Sequence, residues 1–189
     1  FARLKPERLH ETLAPVYETV RRLARDLPTE TALIGFAGAP WTVAVYMVEG
    51  RGGTDCGKIR SWFRRAPADG ETLLTLLADA TADYLTRQIG CGAEAIQIFD
   101  SWAGVLDADE FRRHVIAPTR RIVARLKARH PMVPVIGFPR EAGALYAEYA
   151  RETGVDAVSL DSSVRPAEAV RTLTGVRALQ GNLDNRALV

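Results

Sequence analysis

The chain has 189 residues, of which 47% are hydrophobic and 25% are charged, a composition typical of a soluble globular protein with one hydrophobic core. Its formal charge of +2 is too small a basic excess to favour nucleic-acid binding, and its arginine clusters are typical of solvated helix faces. The apolar stretches are shorter than the roughly 20 residues of a spanning helix, and the start lacks a signal pattern. We therefore expect a cytosolic protein without a membrane partner.

The predicted elements alternate between helices and strands along the whole chain. In chain order they are a helix over Glu7–Asp26, a strand over Ala32–Phe36, short helices from Pro40 and near Ile59–Arg64, a helix over Gly70–Gln88, a strand over Ala95–Phe99, a helix over Asp109–Arg129, a strand over Val133–Phe138, a helix over Gly143–Thr153, a strand over Ala157–Leu160, a helix over Arg165–Leu173 and a strand over Ala178–Gln180. Such alternation predicts an α/β protein with a parallel sheet and helices outside it.

Small or chemically capable residues follow each predicted strand. These residues are Ala37-Gly38, Asp100-Ser101, Pro139-Arg140, Asp161-Ser162-Ser163 and Gly181-Asn182. A parallel barrel places the carboxyl ends of its strands on one face, whereas a doubly wound nucleotide-binding sheet normally carries a GxGxxG turn, which this sequence lacks. Because a complete barrel takes about 250 residues, we expect part of a (β/α)8 TIM barrel, with about five of its eight units. The chain is then a single domain over residues 1–189, incomplete at both ends.

The first strand leads into a glycine-rich and aromatic segment, residues 35–53. Gly38 and Ala39 leave space for a close approach of backbone or ligand, and Pro40 favours the first turn of a helix. Trp41 and Tyr46 add large side chains, of which only Tyr46 has an acidic hydroxyl. This segment predicts a strand-to-helix corner.

Three motifs, residues 35–53, Gln97-Ile-Phe-Asp-Ser-Trp-Ala-Gly104 and Leu179-Gln-Gly-Asn-Leu-Asp184, occur in the order found in the uroporphyrinogen decarboxylase family, which the chain closely resembles. The resemblance implies a TIM barrel that decarboxylates the four acetate side chains of uroporphyrinogen III to give coproporphyrinogen III in porphyrin and heme biosynthesis. It further implies that no metal or organic cofactor takes part and that the full-length protein is a homodimer.

The resemblance covers only the middle and later part of the family's longer chain. The family's catalytic aspartate, the arginines of its N-terminal substrate loop and its C-terminal Gly-His-Gly segment have no counterpart in this sequence. We therefore assign no catalytic residue within the chain, and we expect these 189 residues alone to be inactive.

Tyr46 and Ser101 are the substrate-binding residues that the resemblance implies. Tyr46 matches a tyrosine whose hydroxyl holds a substrate carboxylate, although a helix-packing tyrosine is the simple alternative. Ser101 follows a buried strand and can donate a hydrogen bond without adding charge, although serine is also common at turns and helix starts.

Four further residues are candidates for lining the same site: Phe99, Asp100, Arg140 and Asp161. A carboxylate in a partly apolar position, such as Asp100, is the natural candidate for a proton-exchanging acid, but the resemblance implies only a supporting role. Arg140 can meet substrate carboxylates or form an ion pair with Glu141 or Asp161. The sequence departs from the family pattern at Glu141, Ser162 and Asn185, where the family has glycine, tryptophan and proline.

Two alternatives remain open. A corrinoid-linked methyltransferase shares the fold and binds zinc through a His-x-Cys motif and a distant cysteine, but Cys56 and Cys91 have no such histidine, so we expect reduced, metal-free thiols. The second alternative is a non-catalytic fragment.

His10, His114 and His130 fall on predicted helices or at a helix end, where we expect surface histidines.

Overall fold

The computed structural model describes residues 4–52, 55–173 and 178–188 of the chain. Its strands are β1 (Ile34–Gly38), β2 (Ala95–Asp100), β3 (Val135–Pro139), β4 (Ala157–Ser159) and β5 (Ala178–Gln180). Its α-helices are α1 (Leu9–Thr12), α2 (Ala14–Asp26), α3 (Pro40–Glu49), α4 (Gly57–Arg65), α5 (Pro67–Gly90), α6 (Ala108–Phe111), α7 (Ala117–Arg129), α8 (Tyr146–Thr153) and α9 (Pro166–Thr172). Short 3-10 turns cover Pro6–Arg8, Ala103–Val105, Gly143–Leu145 and Asn185–Leu188, and a π-helical turn covers Arg112–Ile116. Over these ranges no helix combines the length and the apolar character needed to cross a membrane.

The five strands form one parallel sheet in the order β1-β2-β3-β4-β5. Each strand therefore pairs with the next strand in the sequence, as in a barrel, whereas a doubly wound sheet reverses its strand order near the middle. The structure confirms the predicted α/β class and agrees with part of a (β/α)8 barrel.

Alternation along each strand separates a helix side of the sheet from an open face. Ile96 and Ile98 lie on the helix side and are almost completely buried. Phe36, Gln97 and Phe99 alternate with them on the other face, and Phe36 is 61% exposed. We call this second surface the open face, because the described helices pack against the opposite side.

Two glycines let helices approach the sheet closely. A Cβ atom at Gly137 would lie 2.3 Å from the hydroxyl oxygen of Tyr149, so α8 could not pack on β3 as it does if this residue were alanine. At Gly35 a Cβ would lie 2.8 Å from Oε1 of Gln88 on α5. The Gln88 amide donates to the carbonyl oxygen of Phe36 at 2.9 Å and accepts from its N–H at 3.1 Å.

The predicted helices exist, but two of them are interrupted. The helix predicted over Glu7–Asp26 begins as a 3-10 turn that leads into α1, and it breaks at Leu13 before α2, because Pro15 has no N–H for a helical hydrogen bond. The helix predicted over Asp109–Arg129 contains the π-helical turn Arg112–Ile116. This turn shifts the phase of the helix by about one residue.

A buried carboxylate joins α4 to α6. Glu110 is only 5% exposed and accepts hydrogen bonds from the guanidinium of Arg60 at 2.7 and 3.0 Å and from Arg64 at 3.3 Å. It also forms a reciprocal capping box with Asp107 at the start of α6. The first turn of α6 is therefore fixed against α4.

Candidate active site

The residues that follow β1, β2 and β3 lie side by side at the carboxyl end of the sheet. The N–H of Ala39 donates to the carbonyl of Phe99 at 2.7 Å, and the N–H of Arg140 donates to the carbonyl of Asp100 at 3.1 Å. These hydrogen bonds continue the sheet pairing beyond the strands. The loops that carry most of the predicted site residues therefore begin from one common edge.

Tyr46 lies on α3, the helix that follows β1. Ala39 is extended and Pro40 occupies the first turn, while Gly50 ends the helix at φ 76°, a left-handed conformation that favours glycine. Tyr46 is 47% exposed, and its ring contacts Trp102 edge to face at a centroid distance of 6.3 Å. The exposed hydroxyl-bearing side chain therefore lies beside the loop that follows β2.

Ser101 lies between two residues that are both bonded to α3. Thr42 donates through Oγ1 to Oδ1 of Asp100 at 2.6 Å, and Trp41 donates through Nε1 to the carbonyl oxygen of Trp102 at 2.9 Å. Ser101 itself is partly exposed. The structure thus brings the loop of Ser101 next to the helix of Tyr46, at the carboxyl end of the strands.

Asp100 lies on the helix side of the sheet, with Ile96 and Ile98, and not on the open face. It is 2% exposed, and burial raises the pKa of its carboxyl to about 7 despite the hydrogen bonds from Thr42. Its Oδ2 atom is buried and has no hydrogen-bond partner in the described part of the chain. In this arrangement Asp100 bonds the first turn of α3, and its role in lining the site stays a prediction.

Asp161 connects the loops after β3 and β4. Its carboxylate accepts hydrogen bonds from the N–H of Glu141 at 2.7 Å, the hydroxyl of Tyr146 at 2.8 Å, and the N–H and hydroxyl of Ser163 at 2.9 and 2.5 Å. Burial raises the pKa of Asp161, but the hydrogen bonds from Ser163, Glu141 and Tyr146 outweigh this effect and hold it below the ordinary value. Asp161 is thus ionised at neutral pH, and its hydrogen bonds hold the loops after β3 and β4 together.

Arg140 and Phe99 lie in different surroundings. Arg140 is exposed and pairs with Glu141 at 2.8 Å, one of the two ion pairs that the sequence left open. Phe99 lies on the open face, where its ring contacts Phe36 and Phe138 edge to face, each at 5.9 Å. Phe99 and Asp100, although adjacent in sequence, therefore point to opposite sides of the sheet.

His114 differs from the expected surface histidine. Its ring stacks on Trp41 at 5.6 Å with an interplanar angle of 16° and contacts Phe63 edge to face at 5.1 Å, so it is partly buried between helices. His10 is exposed and lies 2.9 Å from the Tyr17 hydroxyl. His130 is also partly buried. The prediction of a surface position is therefore wrong for His114 and His130.

The two cysteines are both buried and neither forms a disulfide. Arg21 donates through Nη2 to the sulfur of Cys91 at 3.5 Å. Within the ranges that the structure describes, no three histidine, cysteine or acidic side chains are grouped as metal ligands. The expectation of reduced and metal-free thiols stays a prediction.

Thr42 and Trp102 are site-forming residues that the sequence analysis did not single out. Thr42 bonds Asp100, and Trp102 contacts Tyr46 and accepts the Trp41 hydrogen bond. Both lie inside the motifs around Tyr46 and Ser101, so their position next to the candidate residues was the available signal. The spacing of these residues in the sequence does not by itself indicate that Thr42 and Trp102 contact one another.

The sheet is parallel and sequentially ordered, and aromatic and hydroxyl side chains lie at the carboxyl ends of its strands. This arrangement is that of the β/α-barrel class of proteins, which bind their ligands at this end. A family model described as uroporphyrinogen decarboxylase (URO-D) matches residues 1–189. The chain belongs to the uroporphyrinogen decarboxylase family.

Curated relatives agree with this assignment. The chain is 55% identical over 186 residues to the uroporphyrinogen decarboxylase of Rhodospirillum rubrum, covering 98% of the chain and 53% of that relative. It is 53% identical to the enzymes of that name from Ruegeria pomeroyi and Paracoccus denitrificans, covering 100% of the chain and 55% of each relative. The chain thus spans about half the length of the curated relatives it matches.

Proposed function

We propose that the chain is part of a uroporphyrinogen decarboxylase, a carboxy-lyase that converts uroporphyrinogen III to coproporphyrinogen III in porphyrin and heme biosynthesis. The observation that supports this proposal most strongly is the 55% identity to a relative of that name across 98% of the chain. In this proposal residues 1–189 form part of one barrel domain, and the whole protein is a cytoplasmic homodimer that acts without a metal or organic cofactor and binds neither nucleic acid nor membrane.

Tyr46 and Ser101 hold substrate carboxylates in this proposal. Both are hydroxyl donors at the carboxyl end of the sheet, and the contact between Tyr46 and Trp102 keeps their two segments adjacent. Such donors fix the position of the acetate and propionate groups, which is an orientation effect. Phe99 on the open face supplies an apolar surface for the tetrapyrrole, and exposed Arg140 is the candidate cation for its carboxylates.

The chemistry also needs a carboxylate next to the reacting pyrrole. Protonation of a ring carbon gives a cation that accepts the electron pair of the breaking carbon–carbon bond as carbon dioxide leaves. A second proton completes the methyl group, and loss of the first proton from the ring carbon restores the pyrrole. A nearby carboxylate stabilises that cation. Asp100 is buried on the helix side and Asp161 is bonded to three neighbouring residues, so neither is placed for this role. We therefore assign the catalytic carboxylate to residues outside this sequence.

The proposal is tested by measuring anaerobic formation of coproporphyrinogen from uroporphyrinogen III. We expect turnover by the natural polypeptide that carries this sequence and none by the 189-residue chain alone. Absence of turnover by the natural polypeptide would contradict the proposed function. Comparable turnover by the short chain would instead show that a carboxylate such as Asp100 or Asp161 is catalytic.

Changing Tyr46 to phenylalanine is expected to lower kcat/KM of the natural polypeptide by the value of one hydrogen bond to a charged group, about 1.5–3 kcal/mol, or roughly 10- to 150-fold. The ring and its contact with Trp102 remain, and Tyr46 is 47% exposed, so the stability should change little. Steady-state kinetics check the effect, with Tyr84→Phe on α5 as the matched control. Equal kcat/KM for Tyr46→Phe and the unchanged enzyme would exclude a substrate contact.

A further inference from the structure

A cavity of about 580 Å³ lies in the helical layer between α4, α5 and the π-helical turn before α7. Small-molecule sites in proteins typically measure about 300–1,000 Å³. None of the substrate-binding or site-lining candidates contributes to its lining, so it is distinct from the candidate active site. Its apolar wall includes Phe63, Leu74 and Pro118.

Aromatic rings form one side of this cavity. His114 lines it and stacks at 16° on the buried ring of Trp41, while Phe63 meets His114 edge to face. No hydrogen bond to the His114 ring nitrogens occurs within the described part of the chain. Burial, and to a smaller extent the charge of Arg113, lowers the pKa of His114 to about 4, so the ring is uncharged at neutral pH. It offers an apolar face together with one donor and one acceptor nitrogen.

Cationic groups surround the opening of the cavity. Arg64 pairs with Glu110 at 3.3 Å and Arg121 pairs with Asp79 at 2.7 Å. Arg113 also lines the cavity, but it forms no ion pair or hydrogen bond with another described residue. The charge of Arg113 acts on Asp107, but its N–H groups donate to no carboxylate of the described residues. Such a guanidinium is well suited to bind a ligand carboxylate through two parallel hydrogen bonds.

The π-helical turn brings the two key residues together. Arg113 and His114 are consecutive, yet both line the cavity, and both lie within the turn Arg112–Ile116. Single π-helical turns inside α-helices occur frequently at functional sites. The lining also includes Glu71, whose carboxylate forms no ion pair with the described residues, so the cavity does not favour ligands with several negative charges.

We propose that this cavity binds a small, flat aromatic monocarboxylate, with its ring packed between His114 and the apolar wall and its carboxylate on Arg113. The site is independent of the proposed decarboxylase function. The cavity is larger than one fused aromatic bicycle, so 2-naphthoate is a suitable probe.

The test is a calorimetric titration of the natural polypeptide with 2-naphthoate and with its neutral analogue 2-naphthamide. We expect saturable one-to-one binding of 2-naphthoate that weakens at least about tenfold in Arg113→Ala, and at least about tenfold weaker binding of the amide. Arg120→Ala is the matched control, because Arg120 lies on α7 outside the cavity and pairs with Glu152 at 3.9 Å.

A second variant, Ala117→Trp, fills the cavity from α7 and should abolish binding without removing a charge. Circular dichroism verifies that each variant is folded, and Arg113→Gln replaces Arg113→Ala if the latter is not. The proposal is overturned if 2-naphthoate shows no saturable binding, or if its affinity is unchanged by both the Arg113 and the Ala117 variants. Equal binding of the acid and the amide would overturn the assignment to a carboxylate.

Discussion

Replacing Trp41 by alanine is expected to lower the free energy of unfolding by about 3–5 kcal/mol, the usual cost of removing a large buried aromatic side chain. Trp41 is fully buried, its ring contacts Phe63 at 6.0 Å and His114 at 5.6 Å, and its Nε1 donates to the carbonyl of Trp102. The substitution therefore leaves a cavity and removes the donor to a backbone carbonyl.

Trp41→Phe separates these two contributions. Phenylalanine keeps most of the apolar contact but cannot donate to Trp102, so we expect a smaller loss of about 1–3 kcal/mol. Urea denaturation at constant pH measures both variants in the natural polypeptide. A loss below about 1 kcal/mol for Trp41→Ala would mean that the ring does not join α3 to its neighbours as described.

Stability is expected to fall as the pH rises from about 4 to 7 because of Asp100. Its pKa is about 7 in the folded protein and 3.8 ordinarily. Between these values the folded state keeps the proton that the unfolded state has released. The folded state binds more protons over this interval, so the free energy of unfolding decreases with increasing pH. Above about pH 7 the buried carboxyl is ionised and its stabilising contribution is lost.

Asp100→Asn should remove this dependence. Since one pKa unit corresponds to 1.36 kcal/mol, the stability of the unchanged protein should fall by about 2–3 kcal/mol relative to the variant between pH 5 and pH 8. Asparagine keeps an oxygen that can accept from Thr42, which is the bond observed at 2.6 Å. Urea denaturation across this interval measures the difference. Parallel stability profiles for the two proteins would contradict a raised pKa at Asp100.

The order of strands and helices could be predicted from the sequence because the strands are short apolar runs separated by longer amphipathic segments. The predicted strand Ala178–Gln180 matches β5, and Ala95–Phe99 lacks only the last residue of β2. The break at Leu13 was also accessible in principle, since Pro15 follows it. The π-helical turn was not, because its extra residue depends on packing against neighbouring helices rather than on a local sequence signal.

The sequence predicted the position of the candidate residues in the fold more accurately than the direction of their side chains, and their role in substrate binding stays a prediction. Tyr46 and Ser101 lie at the carboxyl end of the sheet, as the rule for strand ends indicates. The side of Asp100 follows from alternation with Ile96 and Ile98, which places all three residues on the helix side. His114 follows two arginines and resembles a surface residue, and only the tertiary contacts with Trp41 and Phe63 reveal its burial.

The amide of Gln88 has a consequence for the position of α5 along the sheet. Both backbone polar groups of Phe36 on β1 are bonded to this side chain, which is only 2% exposed. A buried polar group left without a partner costs about 1–3 kcal/mol. A shift of α5 along β1 would break both bonds and leave the buried amide unpaired. A single buried glutamine thus fixes the register between this helix and its strand.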